Sequence, residues 1–411
     1  MAKSLVTEGS AGTNGELSAD TRPDPFKTIV LNAVYEKATD IHVNQIDEGV
    51  LVMYRVDGMI HEKRLLSDAA GRQLINQIKT AANMDAMKSF VPQEGQIKWP
   101  DDEIRRDIRV TVVPVGHDTE SAHLRMLSFP KAWEISSLGF CEDDLQDVSS
   151  TIDSMGGLIL ISGVTGSGKT TTMYSLASML DLRENIAYSI EDPVEFRLSY
   201  AQQLEVDERH GLTMYEGLQT ILRTDPDLVM VGEIRDRDSA VVASRAALSG
   251  RLVLATIHAK DAAGTVDALH YLGVPYYIIG GSLKLVVSQT LVRKLCPSCA
   301  EARSASEEER ELFERFGVDV PDKIFRARGC RSCGMYGYQG RMAIFEVAKV
   351  GADAAHLIAD GVHQKQLRDH FRQGKTGPML ADGLRKVAQG LTSMDELYRV
   401  CDFKPVAHSL V

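Results

Sequence analysis

The stretch GLILISGVTGSGKTTT, residues 157–172, decides the fold of the larger part of this 411-residue chain. An apolar run is followed by Gly163, Gly168, Lys169 and Thr170 in the spacing G-x-x-x-x-G-K-[ST], and a helical pattern begins directly afterwards. Glycines in such a loop let backbone N–H groups close around phosphates, and the helix N-terminus adds positive potential. The pattern therefore predicts a nucleotide-binding loop between a strand and a helix.

The predicted nucleotide-binding residues are consecutive, and the Thr170 hydroxyl is also a predicted magnesium ligand. They are Gly163, Val164, Thr165, Gly166, Ser167, Gly168, Lys169, Thr170 and Thr171. On both sides of this loop, short apolar runs alternate with helical patterns, which is typical of a mostly parallel sheet wrapped by helices. Ligands of such sheets bind at the carboxyl ends of the strands.

Carboxylates suited to hydrolysis follow two of the predicted strands. In DLVMVGEIRD, residues 227–236, Gly232 stands where most P-loop proteins place a magnesium-binding aspartate, and Glu233 follows it. Glu233 is then available as a general base. In SIEDPVEF, Glu191 and Asp192 end a second strand, and together with Glu195 they are candidates to supply the metal ligation that Gly232 lacks. Acidic residues at strand ends are also common as solvated turn formers, so that alternative stays open.

Composition excludes several classes of protein. With 44% hydrophobic and 25% charged residues the chain is an ordinary soluble protein, long enough for two or three domains of ~150 residues. The formal net charge of -11 argues against a surface built for nucleic-acid phosphates. No apolar run approaches the ~18 residues of a membrane span, and the polar start does not resemble a signal peptide. These features predict a cytoplasmic protein.

The composition and the hydrophobic periodicity of the sequence change along the chain. The first residues are rich in Gly, Ser and Thr without periodicity. The pattern GVLVMYRVDGMIHEKRLL then predicts a hairpin with a tight Asp-Gly turn, and a helical pattern and two more strands follow it. We therefore predict a disordered leader over residues 1–24, an α+β domain over 25–129, a linker over 130–137 and a P-loop domain over 138–411.

Four of the six cysteines form two C-x-x-C pairs on either side of a charged helical pattern. They are Cys296, Cys299, Cys330 and Cys333, within a module predicted over residues 290–345. Four thiolates suit a tetrahedral structural zinc, although the stretch between the pairs is longer than the usual ~15 to 20 residues. A redox pair is the alternative, but the thioredoxin-like context for it is missing. Cys141 and Cys401 are predicted to be structural thiols.

Four motifs together resemble a known family. In order, GVTGSGKTTT, SIEDPVEF, ILRTDPDLVMVGEIRD and LVLATIHAKDA are similar to the Walker A, aspartate, Walker B and histidine boxes of the secretion ATPases of type II secretion systems and type IV pilus assembly. The resemblance extends over residues 26–400. It implies a RecA-like P-loop NTPase domain with a parallel-rich sheet, preceded by a smaller α+β domain. A glycine-glutamate pair at the end of the Walker B strand is the rule in that family.

Matching positions imply catalytic roles in the P-loop domain. Glu233 would activate water, Glu191 and Asp192 would assist magnesium and water, and His258 would sense the γ-phosphate. Taken alone, a histidine after a strand is more often a structural residue whose ring nitrogens pair with the backbone.

Matching positions in the N-terminal domain imply arginines that close over nucleotide. Arg109 and Arg125 are the candidates, because an arginine fork suits the charge that develops during phosphoryl transfer. Both lie on predicted strands, where an outward arginine is usually part of a solvated face. Arg55 and Arg223 are weaker candidates, with ion pairing as the alternative.

The resemblance also implies a function and partners. The chain would hydrolyse ATP with Mg²⁺ as a homo-hexamer, carry Zn²⁺, lie at the cytoplasmic side of the inner membrane, and move a polytopic platform protein that acts on pilin or pseudopilin. Three alternatives remain open. A pilus retraction motor is disfavoured by the cysteine module, a DNA-translocating conjugation motor is disfavoured by the acidic charge, and the third is a nucleotide-binding scaffold without turnover.

Overall fold

The computed structural model describes residues 25–98, 107–116, 119–127, 134–373 and 377–401, and it separates into two units, residues 1–129 and residues 130–411. The predicted leader over residues 1–24 and residues 130–133 of the predicted linker lie outside the described part of the chain. Among the described residues, no helix is long and apolar enough to cross a membrane.

In its described residues, the first unit is a sheet of antiparallel strands with two helices. The helices are α1 (Pro25–Tyr35) and α2 (Asp68–Ala81). The strands are β1 (Asp40–Ile46), β2 (Gly49–Val56), β3 (Met59–Leu66), β4 (Gln93–Lys98), β5 (Asp107–Pro114) and β6 (Glu120–Leu127), in the order β3-β2-β1-β6-β5-β4. The predicted hairpin is confirmed, because β2 and β3 pair across a turn at Asp57 and Gly58.

The two faces of this sheet differ in polarity. Alternate residues such as Ile41 and Val43 of β1 pack in one core with Leu74 and Ile78 of α2. Ser67 caps α2, since its side chain accepts a hydrogen bond from the Ala70 N–H. The residues between them on each strand point to the opposite face, where polar and charged side chains such as Arg109 and Arg125 lie.

The second unit is a mostly parallel α/β sheet. Its strands are β7 (Gly157–Ser162), β8 (Ala187–Glu191), β9 (Ala201–Glu205), β10 (Leu228–Val231), β11 (Leu252–Ile257), β12 (Leu283–Leu295), β13 (Glu301–Arg303), β14 (Ile324–Arg326) and β15 (Tyr338–Lys349). Its helices are α3 (Glu142–Asp153), α4 (Lys169–Ala177), α5 (Met214–Ile221), α6 (Arg237–Leu248), α7 (Ala262–Tyr271), α8 (Tyr276–Ser282), α9 (Glu307–Arg315), α10 (Ala352–Ala359), α11 (Gln364–Arg372), α12 (Met379–Ala388) and α13 (Met394–Val400).

The main sheet runs β15-β12-β7-β11-β10-β8-β9 and is parallel except for the β12–β15 pair. Its central strands β7, β10 and β11 are mostly apolar and fully buried because both faces are covered. In β7, for example, Leu158 and Leu160 enter one core while Ile159 and Ile161 enter the core on the other face. The predicted fold class is confirmed. The carboxyl ends of β7, β11, β10 and β8 lie side by side and carry the segments that follow.

Candidate functional site

The phosphate-binding loop leaves β7 at Ser162 and enters α4 at Lys169. A Cβ atom on Gly163 would lie 2.4 Å from the carbonyl oxygen of Gln289 and 2.5 Å from Oγ of Ser167, and φ of Gly163 is +155°. Only glycine fits at this position. Gln289, on β12, also donates from Nε2 to the carbonyl oxygen of Ser167 at 2.7 Å. The loop is therefore braced by a neighbouring strand that sequence reasoning did not connect with it.

Lys169 lies over the start of the loop. Its Nζ donates to the carbonyl oxygens of Gly163 at 2.9 Å and Val164 at 3.2 Å. Burial lowers the pKa of Lys169, and the nearby carboxylate of Glu233 opposes this shift. The ammonium thus already lies in the loop, where the outer phosphates of a nucleotide bind in proteins with this motif.

The structure brings Lys169, Glu233 and His258 together, although they come from three separate motifs. Nδ1 of His258 lies 3.4 Å from Nζ of Lys169 and 3.2 Å from the carbonyl oxygen of Gly163. On the other side of its ring, Nε2 of His258 contacts Oε1 of Glu233. His258 is therefore a bridge between the phosphate-binding loop and the predicted general base.

Arg235 was not predicted as a site residue, yet it joins two carboxylates that were. Its Nε donates to Oε2 of Glu233 at 2.6 Å, and its Nη1 donates to Oδ2 of Asp192 at 3.2 Å. The arginine offsets the repulsion between the two carboxylates. Its place two residues after Glu233 was the only sequence signal, because the contact with Asp192 spans 43 residues of the chain.

Glu191 is buried in a hydrogen-bond network of its own. Its Oε1 accepts from Oγ of Ser189 at 2.6 Å and from Nε2 of Gln203 at 3.1 Å, and its Oε2 accepts from the Tyr174 hydroxyl. Burial raises the pKa of Glu191, and these three donors oppose the shift. In this arrangement Glu191 joins the end of β8 to β9 and to α4. Its part in assisting magnesium stays a prediction.

The position of Glu191 explains why residue 232 is a glycine. A Cβ atom on Gly232 would lie 3.1 Å from Cα and 3.3 Å from Cβ and Cγ of Glu191. Glu191 cannot move away without losing its hydrogen bonds. Glycine at this strand end is therefore a packing requirement, and an aspartate in its place would be crowded.

Substitution of Gly232 by alanine is predicted to destabilise the second unit by about 1–3 kcal/mol through overpacking. Urea unfolding of the nucleotide-free protein measures this change. Gly351→Ala is the control, because a Cβ atom there meets nothing within 4 Å and should cost less than about 1 kcal/mol. Equal stability of Gly232→Ala and the parent would contradict the packing explanation.

The four predicted cysteines meet in one cluster. Their sulfur atoms all lie within 4.8 Å of one another, with Cys296–Cys330 at 3.9 Å and Cys299–Cys333 at 3.8 Å. Four sulfurs at the ~2.3 Å bond length of tetrahedral zinc are separated by about 3.8 Å, so the spacing fits that ion. Burial opposes ionisation of Cys333, but the N–H groups of Cys330 and Gly337 donate to its sulfur and lower its pKa to about 6.

The long stretch between the two cysteine pairs folds back on itself. Strands β13 and β14 pair antiparallel, and α9 lies between them in the chain, starting at the capping box of Ser306 and Glu309. This hairpin returns the second pair to the first. The predicted helical insert is thus confirmed, and the unusual spacing has a structural reason.

The two thiols outside the cluster are half-buried. Sγ of Cys141 contacts Oδ2 of Asp144 at 3.2 Å, and burial raises the pKa values of both Cys141 and Cys401, the latter to about 11. Neither environment favours a reactive thiolate.

The predicted arginines of the first unit lie on neighbouring strands. Arg109 on β5 and Arg125 on β6 are register partners, on the sheet face that α1 and α2 leave uncovered. Arg125 donates from Nε to Oδ1 of Asp40 at 3.3 Å, and Arg55 pairs with the same carboxylate at 3.8 Å. That the arginines act on nucleotide stays a prediction.

Comparison with known proteins gives a consistent result. A family model described as type II/IV secretion system protein matches residues 22–399. The chain is 36% identical to Type II secretion system protein E of Pseudomonas aeruginosa, over 91% of this chain and 74% of that protein. It is 34% identical to Type IV pilus assembly ATPase PilB of Myxococcus xanthus, over 90% of this chain and 66% of that protein. The X-ray structure of the Legionella pneumophila ATPase DotB shares the fold, with a TM-score of 0.67 at 21% identity over 93% of this chain and 97% of that one.

Proposed function

The chain belongs to the family of type II/IV secretion system proteins, and we propose that it is the ATP-hydrolysing motor of a type II secretion or type IV pilus assembly system. The observation that carries the proposal is the meeting of Lys169, His258 and Glu233 at the carboxyl edge of the parallel sheet. A phosphate-binding loop and a carboxylate that can accept a proton from water lie together there, and hydrolysis of a phosphoanhydride requires both.

The loop residues Gly163 to Thr171 hold the triphosphate through backbone N–H groups, and Lys169 moves from the loop carbonyls to the outer phosphate oxygens. The Thr170 hydroxyl, with carboxylate oxygens at the same sheet edge, offers the hard oxygen ligands that Mg²⁺ prefers. When bound with ATP, Mg²⁺ neutralises phosphate charge.

Glu233 accepts a proton from the attacking water. Arg235 holds Oε2 of this carboxylate, so that the other oxygen is aimed toward His258 and the loop. His258 contacts both Lys169 and Glu233, and a change at the γ-phosphate end of the loop therefore reaches the general base through one side chain.

Turnover requires a second copy of the chain. We propose a homo-hexamer in which Arg109 and Arg125 from the N-terminal unit of one subunit supply positive charge to the nucleotide of another, as arginine forks do in phosphoryl transfer. The cycle of the hexamer would move a polytopic inner-membrane platform and, through it, pilin or pseudopilin. In this proposal the protein works at the cytoplasmic side of the inner membrane and needs no nucleic acid.

A mixing experiment tests the shared site. Lys169→Ala and Arg109→Ala chains should each be inactive alone. Mixed in equal amounts and reassembled, they should recover up to about a quarter of the parent rate, because a competent site draws its loop from one chain type and its arginine from the other. A mixture of Lys169→Ala with Thr170→Ala is the control and should stay inactive. No recovery in the first mixture would argue against action across subunits.

A further inference from the structure

The sheet face of the first unit that α1 and α2 leave uncovered carries a row of charged side chains. Strand register places Arg55, Asp40, Arg125 and Arg109 opposite one another across β2, β1, β6 and β5. Directly opposite residues of antiparallel strands share a face, so the four side chains are neighbours. The row thus contains three arginines and one aspartate, so positive charge exceeds negative charge.

Asp40 is the centre of the contacts in this row. Its Oδ1 receives Nε2 of His123 at 2.9 Å and Nε of Arg125 at 3.3 Å. Its Oδ2 receives the Thr39 hydroxyl at 2.8 Å and lies 3.8 Å from Nε of Arg55. Two side chains of β6, one of β2 and that of Thr39, which directly precedes β1, therefore converge on one carboxylate.

Asp40 and Arg125 differ sharply in exposure. The Asp40 side chain is 9% exposed, whereas that of Arg125 is 58% exposed. Burial opposes ionisation of Asp40, but the hydrogen bonds from His123 and Thr39 and the charge of Arg125 lower its pKa below the ordinary value. Asp40 is therefore a buried, ionised carboxylate within the row.

The contact with Arg125 uses only part of its guanidinium. Asp40 accepts from Nε, the Arg125 side chain is 58% exposed, and among the described residues its two terminal nitrogens make no hydrogen bond. The planar fork of arginine binds phosphate oxygens through such a pair of nitrogens. An anchored Nε therefore orients the fork before any anion arrives and reduces the conformational freedom lost on binding.

We infer that Asp40 is a positioning residue for ATP hydrolysis, which holds the Arg125 fork in the orientation that receives nucleotide phosphate from another subunit. This inference rests on the proposed role of the N-terminal arginines. Asp40 itself touches no substrate.

The test is steady-state phosphate release by the full-length protein. Asp40→Asn keeps the shape of the side chain and removes the charge. It should lower kcat by about 10- to 100-fold, as misplacement of a positioning group does, with KM for ATP changed less than about 3-fold. Asp40→Glu should recover part of the loss. Asp107→Asn is the matched control, because Asp107 lies on β5 of the same sheet and accepts from Gln96 at 3.0 Å, and parent kinetics are expected.

A double variant separates positioning from simple support of the fold. In an Arg125→Ala background, Asp40→Asn should cost no more than about 2- to 3-fold, because the group through which it acts is already gone. If the losses of the two variants multiply, or if Asp40→Asn turns over at the parent rate while Arg125→Ala is impaired, the inference is overturned. Parent turnover by Arg125→Ala would instead overturn the proposed role of Arg125 itself. Thermal unfolding of each variant identifies losses that arise from misfolding.

Discussion

Glu233→Gln is expected to bind ATP with near-parent affinity and to lose hydrolysis by about 10²- to 10⁴-fold, the contribution of a general base. Glutamine has the size of glutamate and still accepts a hydrogen bond from Nε of Arg235, so the site keeps its shape. It cannot accept a proton from water. Phosphate release and calorimetric titration with ATP measure the two effects separately.

Glu314→Gln is the control for Glu233→Gln, since it makes the same change on the exposed side of α9 in the cysteine module. It should hydrolyse ATP at the parent rate. Turnover of Glu233→Gln near the parent rate would remove Glu233 from its role. A parent protein that binds ATP tightly but releases no phosphate would instead favour a scaffold without turnover.

The second large expected effect is the loss of zinc and of thermal stability when the cysteine cluster is disrupted. Purified protein should contain about one zinc per chain, and Cys333→Ser should lose it, because the sulfur spacing and the donated N–H groups are suited to a thiolate ligand set. Without the metal, the β13–β14 hairpin loses the link between its ends. We expect the thermal midpoint to fall by roughly 5–15 °C.

Metal analysis and thermal unfolding check this expectation. Cys141→Ser serves as the matched control, because Cys141 is a half-buried thiol outside the cluster, and it should keep the parent zinc content. Parent protein that contains no zinc after purification without chelators would rule out the zinc site.

Features that depend on consecutive residues were predictable. The phosphate-binding loop is one such feature, since its spacing alone specifies a strand, a turn and a helix N-terminus. The Asp57-Gly58 turn is another, because both residues take the positive φ that a tight hairpin demands. The four central strands of the second unit were recognised from their apolar runs, which reflect burial on both faces.

Features that depend on distant residues were not predictable from such patterns. Strands β9, β12 and β15 of the main sheet were not identified, and with β12 the support of the loop by Gln289 was missed. The contact of Arg235 with Asp192 was missed for the same reason. Each of these joins segments far apart in the chain, and no local periodicity records such a pairing.

The sequence by itself determined the nucleotide-binding loop, the candidate general base and the two cysteine pairs, because each is a short motif of nearby residues with a fixed spacing. Only the tertiary structure decided what surrounds them. It shows that Gly232 makes room for Glu191, that His258 bridges Lys169 and Glu233, and that Asp40 collects the arginines of the first unit. Steric room and charge contacts depend on which strand ends become neighbours, and sheet order settles that.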